Sequence, residues 1–160
     1  MNKEKLVLQI IRLLEQESEN LTNAAKATHA DATNEESKAE HKYDTRSLEA
    51  SYLAGAQAAL ASESKLSLAI YKKLEIKEFH ADSKIALTAF IELVSDDGEH
   101  SFYFLGPNSG GIKIEHEGKP VVVITPPSPL GQKLIGCTVG DCVKIANYGN
   151  AREYEIFRVC

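Results

Sequence analysis

No proline precedes Pro107, and only one glycine, Gly55, precedes Gly98. The first seventy-odd residues therefore lack the usual chain breakers and cannot make frequent tight turns. Tryptophan is absent, methionine occurs once, and no apolar run approaches the roughly 20 residues of a membrane span. Residues Leu6 to Leu14 are interrupted by Gln9 and Arg12, with no small-residue cleavage site, so a cytoplasmic location without a membrane role is expected. The three cysteines, Cys137, Cys142 and Cys160, are odd in number and show neither C-x-x-C pairing nor a histidine at zinc spacing, so a reduced, unpaired set is expected. Residues 1 to 75 carry 10 Lys/Arg against 12 Asp/Glu and residues 76 to 160 carry 8 against 11. Neither part has the basic excess that independent binding of duplex DNA requires.

What the chain has is a sharp division. Residues 1 to 30 and 35 to 73 each read as a long helix, separated by the polar break Asp31-Ala32-Thr33-Asn34. Val7, Ile10, Leu14, Leu21, Ala24 and Thr28 recur at spacings of three and four, interrupted at Glu17. In the second segment Leu48, Tyr52, Gly55, Ala59, Ser62, Leu66 and Ala69 keep the same rhythm. Two such stripes can pair as an antiparallel coiled-coil hairpin, with the small residues of the second opposite Leu13, Leu14 and Leu21. At ~1.5 Å per residue, an arm of about 25 residues reaches roughly 35 to 40 Å.

The hairpin tip, residues 31 to 44, is acidic. Glu36, Glu40 and Asp44 stand at i, i+4 and i+8 on one helix face, where like charges repel by about 0.2 to 0.5 kcal/mol per pair. One account is a helix start: Asn34 or Thr33 caps the second helix, and Glu35 and Glu36 meet its positive dipole end. The other is chemical. Carboxylates at an exposed tip, Asp31, Glu35 and Glu36 with Glu40 and Asp44 as alternates, can help hold Mg²⁺, although too few to bind it permanently alone. Lys38, Lys42 and Arg46 repeat at the same interval on another face and form either a solvated stripe or a guide for an RNA backbone.

The remainder alternates with period two. Residues 85 to 94 read as a strand with one buried face, Asp96-Asp97-Gly98 as a hairpin turn, His100 to Leu105 as its partner, and Ile112 to Ile114 as a further strand. Val121-Val122-Val123-Ile124 reads as a central strand. Ser128 and Pro129 are an N-cap and first helical residue, Leu130 to Ile135 a short helix, and Gly136 its left-handed terminator. Strands near 143 to 146 and 153 to 159 complete a mostly antiparallel sheet. No catalytic set assembles: His80, His100 and His116 are scattered, Ser128 has no local base, and no phosphate loop is present.

Ser128-Pro129-Leu130-Gly131-Gln132-Lys133-Leu134-Ile135-Gly136, followed by Val139-Gly140-Asp141, resembles the carboxy-terminal signature of the bacterial GreA/GreB transcript-cleavage factors. Lys73-Leu74-Glu75-Ile76-Lys77-Glu78-Phe79 is similar to their junction between arm and domain, and the Asp96-Asp97-Gly98 hairpin and Glu153-Tyr154-Glu155-Ile156 also correspond. The resemblance spans nearly the whole chain and implies an α+β protein: an N-terminal helical hairpin over residues 1–75 and an FKBP-like domain over 76–160. It implies docking on RNA polymerase through Ser128, Pro129, Leu130, Gly131, Leu134 and Gly136, with the arm entering the secondary channel towards the nascent RNA 3′ end. The family's tip motif, Asp-x-x-Glu-Asn-Ala-Glu-Tyr, is partly present. Aligning Ala39-Glu40 with its Ala-Glu places Asn34 and Ser37 at its Asp and Glu positions, and a shift of one or two residues in the loop lets Glu35 or Glu36, with Asp31 or Glu40, take over.

Two functions of this class follow. The first is a monomeric accessory factor, not itself an enzyme, that stimulates Mg²⁺-dependent RNA cleavage at the polymerase active centre in backtracked complexes. The second is a non-cleaving modulator of the same channel. A prolyl isomerase would need a deep aromatic-lined pocket that a Trp-free domain with few Phe and Tyr does not offer, and a plain coiled-coil dimeriser is the structural alternative.

Overall fold

In the computed structural model of the protein, residues 1–33, 45–147 and 150–160 are described. The chain forms two compact units: Ile11–Lys72, and Met1–Ile10 together with Lys73–Cys160. The elements in order are α1 (Lys3–Thr33), α2 (Thr45–Lys72), β1 (Phe90–Ser95), β2 (His100–Leu105), β3 (Lys113–His116), β4 (Lys119–Ile124), α3 (Pro129–Leu134), β5 (Cys142–Asn147) and β6 (Asn150–Val159). This is the α+β architecture expected. No helix among the described residues is long and apolar enough to cross a membrane.

In the helical unit α1 and α2 run antiparallel, because Glu15 pairs with Lys72 at 2.6 Å while Thr28 hydrogen-bonds Gln57 at 2.5 Å. On α1 the inward face holds Leu14, Ser18 and the half-buried Leu21, Thr22, Ala25 and Thr28. It therefore matches the expected stripe at Leu14, Leu21 and Thr28, while Ser18 and Ala25 replace Glu17 and Ala24. On α2 the expected face is turned outward: Tyr52 is 72% exposed, Leu66 64% and Leu48 55%, and Gly55, Ala59, Ser62 and Ala69 are exposed too. The inward stripe is Ala54, Gln57, Ala61, Ser64, Leu68 and Tyr71. It has the same three-four rhythm displaced by two residues, a rotation of about 200° at 3.6 residues per turn. Rhythm alone cannot choose between the stripes; the Thr28–Gln57 and Glu15–Lys72 contacts and the fully buried Tyr71 ring fix the rotation. Burial pushes the Tyr71 phenol well above its usual pKa.

The second unit is a six-stranded sheet in the order β3-β4-β2-β1-β6-β5, antiparallel throughout except for the parallel β2–β4 pair. The expected hairpin is present: Phe90 pairs with Phe104 and Val94 with His100, and Gly98 turns the chain at φ 77° with its N–H on the Ser95 carbonyl at 2.8 Å. β1 begins later than the alternation predicts. Thr88 adopts a left-handed φ of 72°, its N–H held by the Leu105 carbonyl at 2.8 Å and its hydroxyl accepting the Lys77 N–H at 2.9 Å. That turn separates Ile85 from the strand. The Val121–Ile124 run lies next to the edge strand, and it is continuously apolar because both faces of β4 are covered: Val121 and Val123 on one side, Ile124 on the other.

One sheet face carries the core, where Ile85, Ala89, Ile91, Leu93, Leu105, Ile124, Leu134, Val143, Ile156 and Val159 pack together. The other carries Phe90, Phe104, Val121, Val123, Ile114 and His116. The start of α1 is tied to this unit: the Gln9 amide donates to the Glu115 carbonyl at 3.2 Å, its Oε1 lies 2.6 Å from His116 Nδ1, and Leu6, Val7 and Ile10 are buried.

The short helix α3 follows its sequence reading closely. Ser128 Oγ accepts the Gly131 N–H at 3.0 Å and donates to the Thr125 carbonyl at 2.7 Å, and Gly136 is left-handed at φ 84°. A Cβ on Gly131 would lie 2.0 Å from the Thr125 carbonyl oxygen. Backbone cannot yield as a flexible side chain can, so the position accepts only glycine. Gly131→Ala is expected to destabilise the sheet unit by about 1 to 3 kcal/mol through overpacking; denaturant unfolding checks it, and an unchanged midpoint would contradict the contact.

Candidate functional site

Residues 34–44, with Glu35, Glu36, Lys38, Glu40, Lys42 and Asp44, lie outside the described residues. Asp31 belongs to the last turns of α1 and Arg46 to the first turn of α2, by backbone alone. The antiparallel helices thus deliver the two ends of the acidic segment to the same end of their unit.

The six expected docking residues of the nine-residue Ser128–Gly136 signature lie in and around the short helix α3, where most have a folding task. Ser128 caps, Pro129 supplies a first-turn position that needs no N–H, Gly131 admits the Thr125 carbonyl, Leu134 is fully buried in the core and Leu130 packs against it. The Gly136 N–H donates to the Ile85 carbonyl at 2.9 Å, and the Ile85 N–H to the Cys137 carbonyl at 2.9 Å, fastening the helix end to the chain before β1. Outward there remain Pro129, Gln132, Lys133, Ile135 and Gly136, with Ile135 44% exposed. Any partner of this segment meets those residues, and Leu134 and Gly131 act by holding them in place. Beyond it Asp141 Oδ2 accepts the Thr138 N–H at 2.7 Å, closing the Val139-Gly140-Asp141 turn. Burial, then the Asp141 charge, raises the Cys137 thiol pKa; the three cysteines are unpaired.

Two features had no clear sequence signal. On the face of the sheet opposite the core, the buried Glu92 carboxylate receives Arg158 Nη2 at 2.9 Å and lies 2.8 Å from His100 Nδ1. His100 stacks on Phe102 at 6.4 Å and meets Phe157 edge-on at 5.6 Å, while Lys119 Nζ sits 4.4 Å above Phe102. Strand alternation puts Glu92 on one face, but only the register brings Arg158 opposite it, and the irregularity between Glu92 and Leu93 sets Phe157 apart. The second feature is a groove of about 580 Å³ between α1 and α2, with Lys26, His29 and Lys65 among its lining residues. Of its α2 lining residues only Ala61 is buried, while Ala58, Ser62 and Lys65 are exposed, so the groove lies along the solvent edge of the helix pair. Among the described residues no group of three His, Cys, Asp or Glu side chains is placed to hold a metal ion.

Arg158→Ala leaves a buried carboxylate with one donor fewer and is expected to cost about 1 to 3 kcal/mol. In a double-mutant cycle with Glu92→Ala, denaturant unfolding should give a coupling of roughly 0.5 kcal/mol or more; a coupling near zero would show the pair to be a surface accident.

No family model and no curated protein matches the chain. Among solved structures, it is similar to the transcription factor Gfh1, at 22% identity over 93% of this chain and 92% of that one, with a TM-score of 0.42. The GreA factor homolog 1 (Gfh1) protein of Thermus thermophilus matches at 20% identity over 99% and 94%, TM-score 0.41. The prokaryotic transcription elongation factor GreA/GreB from Nitrosomonas europaea matches at 17% identity over 60% and 78%, TM-score 0.39.

Proposed function

We propose that this protein is a bacterial transcription elongation factor that docks on RNA polymerase and extends its α1–α2 arm into the secondary channel. The observation that carries this reading is the Ser128–Gly136 signature folded as a capped helix with an obligatory glycine, in one chain with an antiparallel helix pair whose connecting segment bears carboxylates. A narrow arm with its acidic segment at one end is suited to placing that segment inside another protein.

In the cleavage reading, Asp31, Glu35 and Glu36, with Glu40 and Asp44 behind them, offer hard carboxylate oxygens beside the polymerase's active centre. Mg²⁺ shared with the polymerase supplies activation of water for phosphodiester hydrolysis. Lys38, Lys42 and Arg46 lead the nascent RNA 3′ end along the arm, and Pro129, Ile135 and Gly136 present the docking surface. The factor acts as a monomer in the cytoplasm, with no enzymatic activity alone and no duplex DNA binding. One observation favours the second reading, a non-cleaving modulator: with Ala39-Glu40 aligned on the motif's Ala-Glu, Asn34 and Ser37 stand where the family's motif carries its Asp and Glu. An amide and a hydroxyl do not replace the charge of two carboxylates.

Both readings expect the protein to bind core polymerase and to compete with a GreA or GreB factor, with Ile135→Asp weakening binding tenfold or more while the circular dichroism is unchanged. Failure of pull-down and competition at micromolar concentration would reject them together. Added to a backtracked complex with Mg²⁺, the protein should release a short 3′ RNA fragment, and at least one of Asp31→Ala, Glu35→Ala and Glu36→Ala should abolish release without loss of binding. Binding without release selects the modulator.

A further inference from the structure

Of the two stripes of equal rhythm on α2, α1 covers one. The other, Tyr52, Gly55, Ala59, Ser62, Leu66 and Ala69, is exposed along its whole length, with Tyr52 72% and Leu66 64% accessible. Between Glu49 and Glu63 the helix carries no charged residue on any side, whereas α1 lines its own exposed surface with Arg12, Glu15, Glu17, Glu19 and Lys26. A helix face that only meets water is normally charged or polar. Gly55 is a second anomaly. Glycine in mid-helix is unfavourable relative to alanine, and a Cβ at this position would meet nothing within 4 Å. No contact among the described residues requires glycine there.

We infer that this stripe is the interface of a homodimer, in which α2 pairs antiparallel with α2 of a second copy. Spacings of three and four sustained from Tyr52 to Ala69 form a coiled-coil seam, and the occupant of such a seam is another helix. Antiparallel pairing centred between Leu60 and Ala61 sets Tyr52 against Ala69, Gly55 against Leu66 and Ala59 against Ser62 of the second copy, and two-fold symmetry repeats the same three layers. Each large residue then faces a small one, and Leu66 fills the space that Gly55 keeps open. Parallel pairing sets Tyr52 on Tyr52 and Gly55 on Gly55, which leaves gaps beside bulk. The antiparallel register shifted by one heptad brings Glu49 beside Glu63, and like charges across an interface oppose association. A membrane surface fits less well, because helices that lie on lipid border their apolar face with lysine and arginine, and here Glu49 and Glu63 border it. The overlap from Tyr52 to Ala69 is roughly 27 Å long at 1.5 Å per residue. One helix pair of that length covers less than the roughly 1,200 to 2,000 Å² of stable complexes, so the dimer is weak and exchanges readily. It shields the apolar face of the free protein and gives way when one copy meets a tighter partner. That the partner is the polymerase channel rests on the function proposed above; the pairing itself does not.

The test uses the whole chain, free of polymerase, in sedimentation equilibrium from about 10 µM to about 1 mM, where a concentration-dependent dimer is expected. Gly55→Leu should weaken association tenfold or more while helical circular dichroism is kept or increased, since leucine is the better helix former. Leu66→Ala should weaken it as well. The double variant Gly55→Leu, Leu66→Ala exchanges the large and small sides of one layer and should restore association to within threefold of the native chain. A chain monomeric at every concentration would overturn the proposal, as would association indifferent to Gly55→Leu. Failure of the double variant to recover would overturn the antiparallel pairing and the proposal with it. A monomeric chain that co-sediments with lipid vesicles would overturn it in favour of a membrane surface. Pull-down of core polymerase, run separately, keeps the two readings apart: a monomeric chain that binds polymerase overturns the dimer alone.

Discussion

Which face α2 turns towards α1 governs the helical unit. The inward stripe, Ala54, Gln57, Ala61, Ser64, Leu68 and Tyr71, is small and polar except at its last two positions. Near the Tyr71 end, Leu14 and Tyr71 are both fully buried, and the Glu15–Lys72 pair closes the edge. Farther along, Ala61 is buried, and beside it a groove opens along the edge of the helix pair, lined by Ala25 and Lys26 of α1 and by Ala58, Ser62 and Lys65 of α2. The same choice puts Tyr52, Leu53, Leu60 and Leu66 on the surface. Helix rotation thus sets at once where the arm is firm, where it is open, and what it shows to a partner.

In the sheet unit the corresponding constraint is the approach of α3 to the Thr125 carbonyl. Ser128 and Gly131 both converge on that oxygen's neighbourhood, one by donating to it and the other by having no side chain to collide with it. With that contact made, Leu134 enters the core, and the Gly136 turn reaches back to Ile85. Ile135 is then left outside, beside the residues on which the docking proposal rests.

Much of this was legible in the residues because the signals were local. The Asp-Gly hairpin, the Ser-Pro cap and the glycine terminator each depend on a few neighbouring residues, and each occurs as expected. The missed features depend on partners distant in sequence. Thr88 reads as one more member of an alternating strand until Leu105 and Lys77 hold it in a turn. Glu92, His100 and Arg158 are unremarkable singly and meet only through strand pairing. For α2, two stripes of equal rhythm compete, and hydrophobicity favours the one containing Leu48, Tyr52 and Leu66, whereas the observed rotation follows the polar contacts of Gln57 and Lys72 and the burial of Tyr71. The candidate tip is legible only as a cluster of carboxylates, since residues 34–44 lie outside those described.

The rotation of α2 is therefore the claim on which the arm, its groove and its outward face all rest. It is tested by comparing Ala59→Leu with Ala61→Leu in denaturant unfolding followed by helical circular dichroism, which α1 and α2 dominate. Ala61 is 6% exposed and Ala59 lies outside, so the added methylenes should cost about 1 to 3 kcal/mol at Ala61 and within ±0.5 kcal/mol at Ala59. The reverse order, with Ala59→Leu the damaging change, would mean that the Leu48-Tyr52-Leu66 stripe is the one facing α1.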